Sequence, residues 1–346
     1  MCRGNQILLI FILFSSFTAC EVDPPIKEQL PSNDIRFVVP PGWPNPQYDF
    51  SSNPLTKNGF ILGRQLFYDT KLSHDNTISC GSCHQASAAF ADPGNSVSKG
   101  INGLAGNRNS PSLFNLNWQT NFMWDGGINH IEVQPLAPIS NPVEMDENLK
   151  TLVNKLQSDA SYRKLFNNAF GTETVTSQLL LKALAQFMGM LESYNSKYDL
   201  YARGEISFTT AEMNGLTLFQ QKCNTCHTTP LFTNLQYLNN GLDSFFTDGG
   251  RAEITGFASD SGKFKVPSLR NVALSSPYMH DGRFQTLSEV LDHYVSGIKN
   301  SSTLSAQLTG GIPLSVQEKQ DILAFLNTLT DHTFVNDKRF HDPFKN

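Results

Sequence analysis

Two pentapeptides in this 346-residue chain contain residue types that could bind a metalloporphyrin covalently. Thiols three residues apart can reach the two vinyl groups of one porphyrin, and a histidine directly after them can supply an axial nitrogen to its iron. Zinc or redox Cys-x-x-Cys motifs are the alternative, but they do not account for a histidine in the same place twice, and the downstream Cys or His pairs of a zinc site are missing. The pattern predicts two haem c groups attached at Cys80-Gly81-Ser82-Cys83-His84 and Cys223-Asn224-Thr225-Cys226-His227.

Composition narrows the class of protein further. Of six cysteines, four belong to these motifs and the others are Cys2 and Cys20, so no thiols remain for a disulfide framework. The net charge of −5 argues against a nucleic-acid partner. Aromatic residues make up 11% of the chain, with 25 Phe, which suits either the walls of apolar macrocycles or an aromatic-rich core.

The N-terminus has the pattern of a secretory signal over residues 1–19. A basic start precedes a short apolar run at residues 7–14, which cannot span a bilayer, and small residues then lead to Cys20. We expect cleavage before Cys20 and lipidation of its thiol; ordinary cleavage nearby, giving a soluble protein, is the alternative. Both predict export, and we expect a periplasmic protein whose only membrane attachment is a lipid anchor.

The elements that must position the motifs are mostly helical, with little strand. Residues 20–52 are rich in Pro, Asn and Ser and predict a tether followed by an extended lead-in. In each half a helix precedes the haem motif, and an irregular loop and closing helices follow it. This repeat predicts two tandem cytochrome c-like domains, 53–204 and 205–346. Helical patterns cover 53–69 (with Asn53 as N-cap), 149–157, 162–169, 176–201, 210–221, 287–294 and 315–329.

Four further segments resemble the bacterial diheme cytochrome c peroxidase family, which includes MauG. The resemblance extends over roughly residues 53–330. It implies that domain 53–204 holds the peroxidatic haem, with His84 as iron ligand, and that domain 205–346 holds the electron-transfer haem, with His227 as ligand. The segments are Gly106-Asn107-Arg108-Asn109-Ser110-Pro111-Ser112-Leu113, Trp124-Asp125-Gly126, Asn141-Pro142-Val143-Glu144-Met145 and Pro277-Tyr278-Met279-His280-Asp281-Gly282.

The same resemblance implies roles for three residues between the motifs. Glu144 would be the general acid–base that acts on peroxide, since cleavage of the O–O bond needs a group that moves a proton between its oxygens. From sequence alone, Glu144 is equally explained as an acidic residue favoured by the dipole of the following helix. Gln134 would be a second polar residue of the same pocket. Trp124 would lie between the haems and relay electrons, or it would simply be a buried aromatic residue at the interface.

The chain is also expected to bind a calcium ion, to hold a haem propionate through an arginine, and to form a homodimer. The family places calcium between the domains, which here implies Asn109 and the backbone carbonyls of Ser275 and Pro277 as ligands; oxygen ligands suit this ion. Arg270 is expected to pair with a haem propionate through a charge-assisted bond. The resemblance also implies a homodimer.

The chain departs from the peroxidase pattern at two places. Many relatives carry a histidine shortly before the Arg-Asn-Ser-Pro segment that caps the peroxidatic iron, but residues 96–100 here contain none. We therefore expect an open, high-spin first haem. For the second haem, the peroxidases have a methionine ligand at the position of Tyr294, whereas MauG-type enzymes have a tyrosine ligand there. Met279 lies nearby in sequence and is the alternative ligand.

These observations predict a diheme peroxidase that reduces hydrogen peroxide to water with electrons from a small donor protein, cytochrome c or a cupredoxin. One alternative is a MauG-like enzyme that oxidises a protein or organic substrate through high-valent haem iron. A second alternative, from another class, is a non-catalytic diheme electron carrier with two six-coordinate irons.

Overall fold

The structure, a computed structural model, describes residues 35–345; the predicted signal peptide and Cys20 lie outside them. The described chain is mostly helical, as predicted. Its α-helices are α1 (Lys57–Tyr68), α2 (Cys80–Cys83), α3 (Leu136–Ser140), α4 (Leu149–Ser158), α5 (Ala160–Phe170), α6 (Ser177–Met188), α7 (Lys197–Ala202), α8 (Thr210–Lys222), α9 (Ala252–Thr255), α10 (Leu287–Asp292), α11 (Val316–Asn327) and α12 (His332–Val335). Short 3-10 helices cover Thr70–Leu72, Ala86–Ala88, Ile101–Gly103, Leu116–Trp118, Ala258–Asp260, Val272–Leu274, Ala306–Leu308 and Lys338–Phe340.

The helix before each Cys-x-x-Cys-His motif packs closely on a later helix of the same half. In α1, a Cβ on Gly63 would collide with the carbonyl oxygen of Ala183 in α6. In α8, a Cβ on Gly215 would collide with the carbonyl oxygen of Asp321 in α11. Both contacts therefore need glycine, because only a residue without a side chain lets the two backbones come this near.

Buried apolar residues form two clusters, one around each of these two helix pairs. The first includes Phe60 and Phe67 of α1 and Phe187 of α6. The second is smaller and brings together Phe219 of α8 and Phe325 of α11. The first cluster also contains three residues of the C-terminal segment: Phe334, Val335 and Phe340. The domain boundary at residues 204 and 205 stays a prediction.

Two short strands, β1 (Tyr237–Leu238) and β2 (Phe264–Lys265), pair as an antiparallel sheet. The backbone N–H of Lys265 donates to the carbonyl oxygen of Trp124 at 2.8 Å. The sheet of the second half is thereby joined to a loop of the first half.

The predicted N-cap of α1 at Asn53 is wrong. The helix begins at Lys57, and the Thr56 side chain caps it by accepting from the Gly59 N–H. Asn53 is buried and bonded elsewhere: its amide donates to Tyr48 and Lys182 and accepts from Gln186. Long-range partners thus occupy the side chain that local sequence would assign to capping.

The predicted helix over 176–201 is in fact two helices. The first ends at Met188, and the carbonyl oxygen of the following Gly189 accepts from the Asn117 amide at 2.7 Å instead of from a further helical N–H. A new N-cap at Ser196 starts α7, with a capping box to Asp199. No helix of residues 35–345 is both long and apolar enough to cross a membrane.

Candidate functional site

Two cavities lie beside the two Cys-x-x-Cys-His motifs. The first cavity, about 240 Å³, is lined by Cys80, Cys83 and His84. The second cavity, about 330 Å³, is lined by Cys223, Cys226 and His227. Packed protein interiors hold few voids larger than a water molecule, so two spaces of this size indicate binding sites.

Local backbone geometry presents each motif to its cavity. Cys80 and Cys83 begin and end the single turn of α2, so that positions three apart share one face. His84 follows as the C-cap with non-helical dihedral angles. In the second motif Cys223 caps the end of α8, and its carbonyl accepts from the N–H groups of Cys226 and His227 at 3.1 and 3.0 Å.

Both motif histidines have one ring nitrogen fixed by backbone carbonyls. His84 Nδ1 lies 2.9 Å from the Phe90 carbonyl oxygen, and His227 Nδ1 lies 3.2 and 3.1 Å from those of Phe232 and Pro267. With Nδ1–H donating to a carbonyl, Nε2 keeps its lone pair for a metal. Burial lowers the pKa of both histidines to about 4, which also favours the neutral ligand form.

None of the four motif cysteines forms a disulfide among the described residues, so all four thiols are available for a cofactor. Burial raises the pKa of Cys80 to about 12 and that of Cys223 to about 11. Each cavity therefore combines two thiols with one histidine whose Nε2 is available, and this donor set fits a c-type haem at each motif.

The residues predicted to form the peroxide pocket line the first cavity. Glu144, Gln134 and Pro138 all line it, together with His84. Burial raises the pKa of the Glu144 carboxyl, and hydrogen bonds from Ser98 and Asn141 lower it only in part. The structure thus brings the predicted acid–base residue and the predicted polar residue into one pocket.

The loop that lacks a capping histidine also borders the first cavity. Ser98 and Gly100 line it, and among the described lining residues His84 is the only histidine. Gly100 lies against the backbone of Val143 and Glu144, where a Cβ would collide, and the N–H of Ile101 donates to the Glu144 carbonyl at 2.8 Å. This loop therefore holds Glu144 in place.

Trp124 lies between the two cavities and lines both. Its indole Nε1–H donates to the Asn109 carbonyl oxygen at 2.8 Å, which fixes the ring. Gln134 and Asn109 also line both cavities. The two cavities are thus separated by a layer that is one side chain thick and that includes Trp124.

Both predicted alternatives for the second iron ligand line the second cavity with His227. Tyr294 belongs to a π-helical turn, His293–Gly297, that continues α10, where a plain α-helix to residue 294 is predicted. Such turns are frequent at functional sites. Burial raises the pKa of Tyr294 to about 12, against a lowering by hydrogen bonding with Asn240.

The three residues predicted to bind calcium all belong to the lining of one cavity. Asn109, Ser275 and Pro277 all line the second cavity. The Asn109 amide donates to the carbonyl oxygens of Asn95 and Ser96, each at 3.2 Å, and its backbone N–H donates to the His280 carbonyl at 2.7 Å.

With this geometry established, comparisons with known proteins identify the family. A family model described as di-haem cytochrome c peroxidase matches residues 57–207. The methylamine utilization protein MauG of Methylorubrum extorquens is 35% identical over 88% of this chain and 86% of its own length. The cytochrome c551 peroxidase of Nitrosomonas europaea is 32% identical over 78% of this chain and 79% of its own length. The chain belongs to the di-haem cytochrome c peroxidase family.

The fold agrees with this membership. A crystal structure of a MauG-like protein associated with microbial copper homeostasis matches with a TM-score of 0.82 and 34% identity, over 90% of this chain and 100% of that protein. Membership in the di-haem peroxidase family implies two haem c cofactors. It also makes the protein an oxidoreductase.

Arg270, predicted to meet a haem propionate, is not among the described residues that line either cavity. Its guanidinium donates to both carboxylate oxygens of Asp199 at 2.8 Å, and its Nε donates to the Pro230 carbonyl at 2.9 Å. A carboxylate of the protein thus already forms a charge-assisted pair with Arg270, and its pairing with a propionate stays a prediction.

Sequence reasoning missed Lys265, a half-buried lysine that lines the second cavity. Its ammonium donates to the Gln119 side chain and to the Asn121 carbonyl, and burial lowers its pKa to about 7. An acidic substituent of a bound porphyrin could pair with this group. The available signal was a lysine between two apolar residues, Phe264 and Val266.

Proposed function

We propose that this protein is a diheme c-type peroxidase that reduces hydrogen peroxide to water with electrons from cytochrome c or another small donor protein. The observation that carries the proposal is the composition of the first cavity, where a buried carboxyl, Glu144, shares the space with His84. A peroxidase needs a group that can move a proton beside an iron with an open face.

Haem bound at each motif would supply an iron able to take up peroxide in the first cavity and an iron able to pass electrons in the second. The protein's own residues then have distinct tasks. Glu144 takes the proton from one peroxide oxygen and returns it to the other, which becomes water. Its raised pKa suits this exchange, because the carboxylate is then a stronger base towards the peroxide proton than an exposed glutamate is. Gln134 orients the substrate in the same cavity.

Electrons enter at the site of His227 and cross to the first site by way of Trp124. The position of this ring on the wall of both cavities supports that path. The hydrogen bond to Asn109 and the backbone bond from Lys265 keep the indole in one orientation.

Three further features belong to this proposal. The protein is periplasmic and anchored through a lipid on Cys20, because covalent haem attachment takes place outside the cytoplasm in bacteria and the N-terminus reads as a lipoprotein signal. Calcium is held by Asn109, Ser275 and Pro277, and the presence of all three in the lining of the second cavity supports this site. A homodimer rests on the family resemblance alone.

A second candidate function is oxidation of a protein or organic substrate, with peroxide as the oxidant. Tyr294 favours it. A phenolate oxygen stabilises ferric iron, so that the second site would hold oxidising equivalents instead of accepting electrons readily. The relative named MauG is also among the most similar proteins.

Two measurements test these proposals on purified holoprotein. EPR of the ferric protein should show one high-spin and one low-spin haem; two low-spin signals would contradict an open first site and favour an electron carrier. Steady-state peroxide consumption with reduced cytochrome c should then be rapid. Negligible turnover, together with peroxide-dependent modification of a partner protein, would favour the second function.

A further inference from the structure

One amide, that of Asn240, contacts both residues that could complete the second site. Asn240 Nδ2 donates to the Met279 sulfur at 3.4 Å. The same side chain is hydrogen-bonded with the hydroxyl of Tyr294. All three residues line the second cavity with His227.

The backbone of Asn240 is tied to the turn that carries Tyr294. The Asn240 carbonyl oxygen lies 3.0 Å from His293 Nε2, which donates to it. His293 immediately precedes Tyr294 in the π-helical turn. Replacing the Asn240 side chain leaves this backbone contact available, so the amide's effect can be separated from the position of the loop.

The chemistry of the amide gives its two contacts opposite effects on the two possible ligands. A carboxamide nitrogen has two N–H donors. A donor aimed at a phenolic oxygen stabilises the negative charge that this oxygen carries as an iron ligand. A donor aimed at a thioether engages the sulfur lone pairs, which are the electrons that a methionine ligand must offer to iron.

We propose that Asn240 is a positioning residue that selects Tyr294 over Met279 as the second axial ligand at the His227 site. It does so by donating one N–H to the phenolic oxygen and the other to the sulfur. This inference rests on the proposed function, which places haem iron at that site, and it adds which residue decides the ligand.

The test uses full-length holoprotein carrying Asn240→Leu or Asn240→Asp. Leucine has a similar size without polar atoms, and ionised aspartate keeps the shape but has no N–H. Both variants should lose the low-spin EPR signal of the wild type, gain the near-infrared band typical of methionine-ligated ferric haem, and raise the midpoint potential of the second haem. Asn240→Leu combined with Met279→Leu should lack that band.

Asn327→Leu is the matched control. This exposed residue of α11 lies in the same half of the chain, and its amide donates to the Leu323 carbonyl instead of to either ligand. It should leave the low-spin signal and the midpoint potential unchanged.

The possible failures are distinguishable. If Tyr294→Phe changes the low-spin signal while both Asn240 variants keep the wild-type signal and potential, the selecting role of Asn240 is overturned. If Tyr294→Phe changes nothing, the tyrosine ligand and the Asn240 proposal fall together. A protein with the expected Asn240 effects but no peroxide turnover would refute the proposed peroxidase activity alone.

Discussion

At the scale of single residues, burial decides what the groups around the first cavity can do. It raises the pKa of Glu144 and lowers that of His84, so the carboxylate is a stronger base than an exposed glutamate while the imidazole stays neutral. The types of both residues could be read from the sequence. The burial of Glu144 could not, because Ser98 and Gly100, which line the same cavity, are distant from it in sequence.

Replacing Glu144 by glutamine should lower peroxide turnover by about a hundredfold or more, because the amide keeps the shape but cannot exchange a proton. Steady-state kinetics with a reduced donor would measure this, and mass spectrometry should still find both haems. The control is Glu173→Gln, an exposed carboxylate that should have no effect. Unchanged turnover in Glu144→Gln would refute the assigned role.

The pH profile gives an independent check of the same residue. The carboxylate form must be present to take a proton from peroxide, and its pKa is raised above the ordinary 4.5 by burial. The value of kcat/KM should therefore fall as pH decreases through that raised pKa, at a higher pH than an exposed glutamate would give. Glu144→Gln should lack this acid limb; a limb that persists unchanged would point to another group.

At the scale of elements, apolar periodicity located the helices but not their ends. The pattern over 176–201 continues past Met188, yet the helix stops there, and the Gly189 carbonyl accepts from the distant Asn117 amide. Likewise, Tyr294 falls on a π-helical turn that no local propensity indicates, and His293 of that turn is bonded to the distant Asn240 carbonyl. Both places have partners that a local sequence pattern does not contain.

The close approach of α8 and α11 predicts an unusual effect of alanine. In an open helix, Gly→Ala stabilises by about 1 kcal/mol. At Gly215 the new methyl group would collide with the Asp321 carbonyl, so Gly215→Ala should instead lower the melting temperature. Thr217→Ala, on an exposed position of the same helix, should leave the melting temperature equal or slightly higher. A stabilised Gly215→Ala would show that the helices can move apart at little cost.

At the scale of the whole molecule, the end of the chain completes the core at its beginning. Phe340 packs against Phe60, with ring centroids 6.3 Å apart, and its carbonyl accepts from the Tyr68 hydroxyl at 2.7 Å. Arg64 donates to the carbonyl oxygens of His341 and Lys338. The repeat of two similar halves could be predicted from the sequence. The packing of residues 331–345 on α1 could not, because no pattern in that segment indicates which part of the chain it contacts.

Phe340→Ala should therefore destabilise the protein by about 3–5 kcal/mol, as expected for a buried phenylalanine. Denaturant unfolding would measure the loss, and the high-spin signal of the first haem should change before the low-spin signal does. Phe344→Ala is the control, since that ring is 55% exposed. Equal stability of the two variants would show that the C-terminal segment contributes little to the first cluster.

This return of the chain has a consequence for how the protein is made. Synthesis proceeds from the amino end, so the residues around Cys80 and Cys83 emerge long before the phenylalanines that close over them. The cluster around the second motif ends at Leu329, so fewer residues separate that motif from the last residue that packs around it. The surroundings of the earlier motif, where Cys80 packs against the first cluster, are therefore complete only after Phe334 and Phe340 have folded onto that cluster.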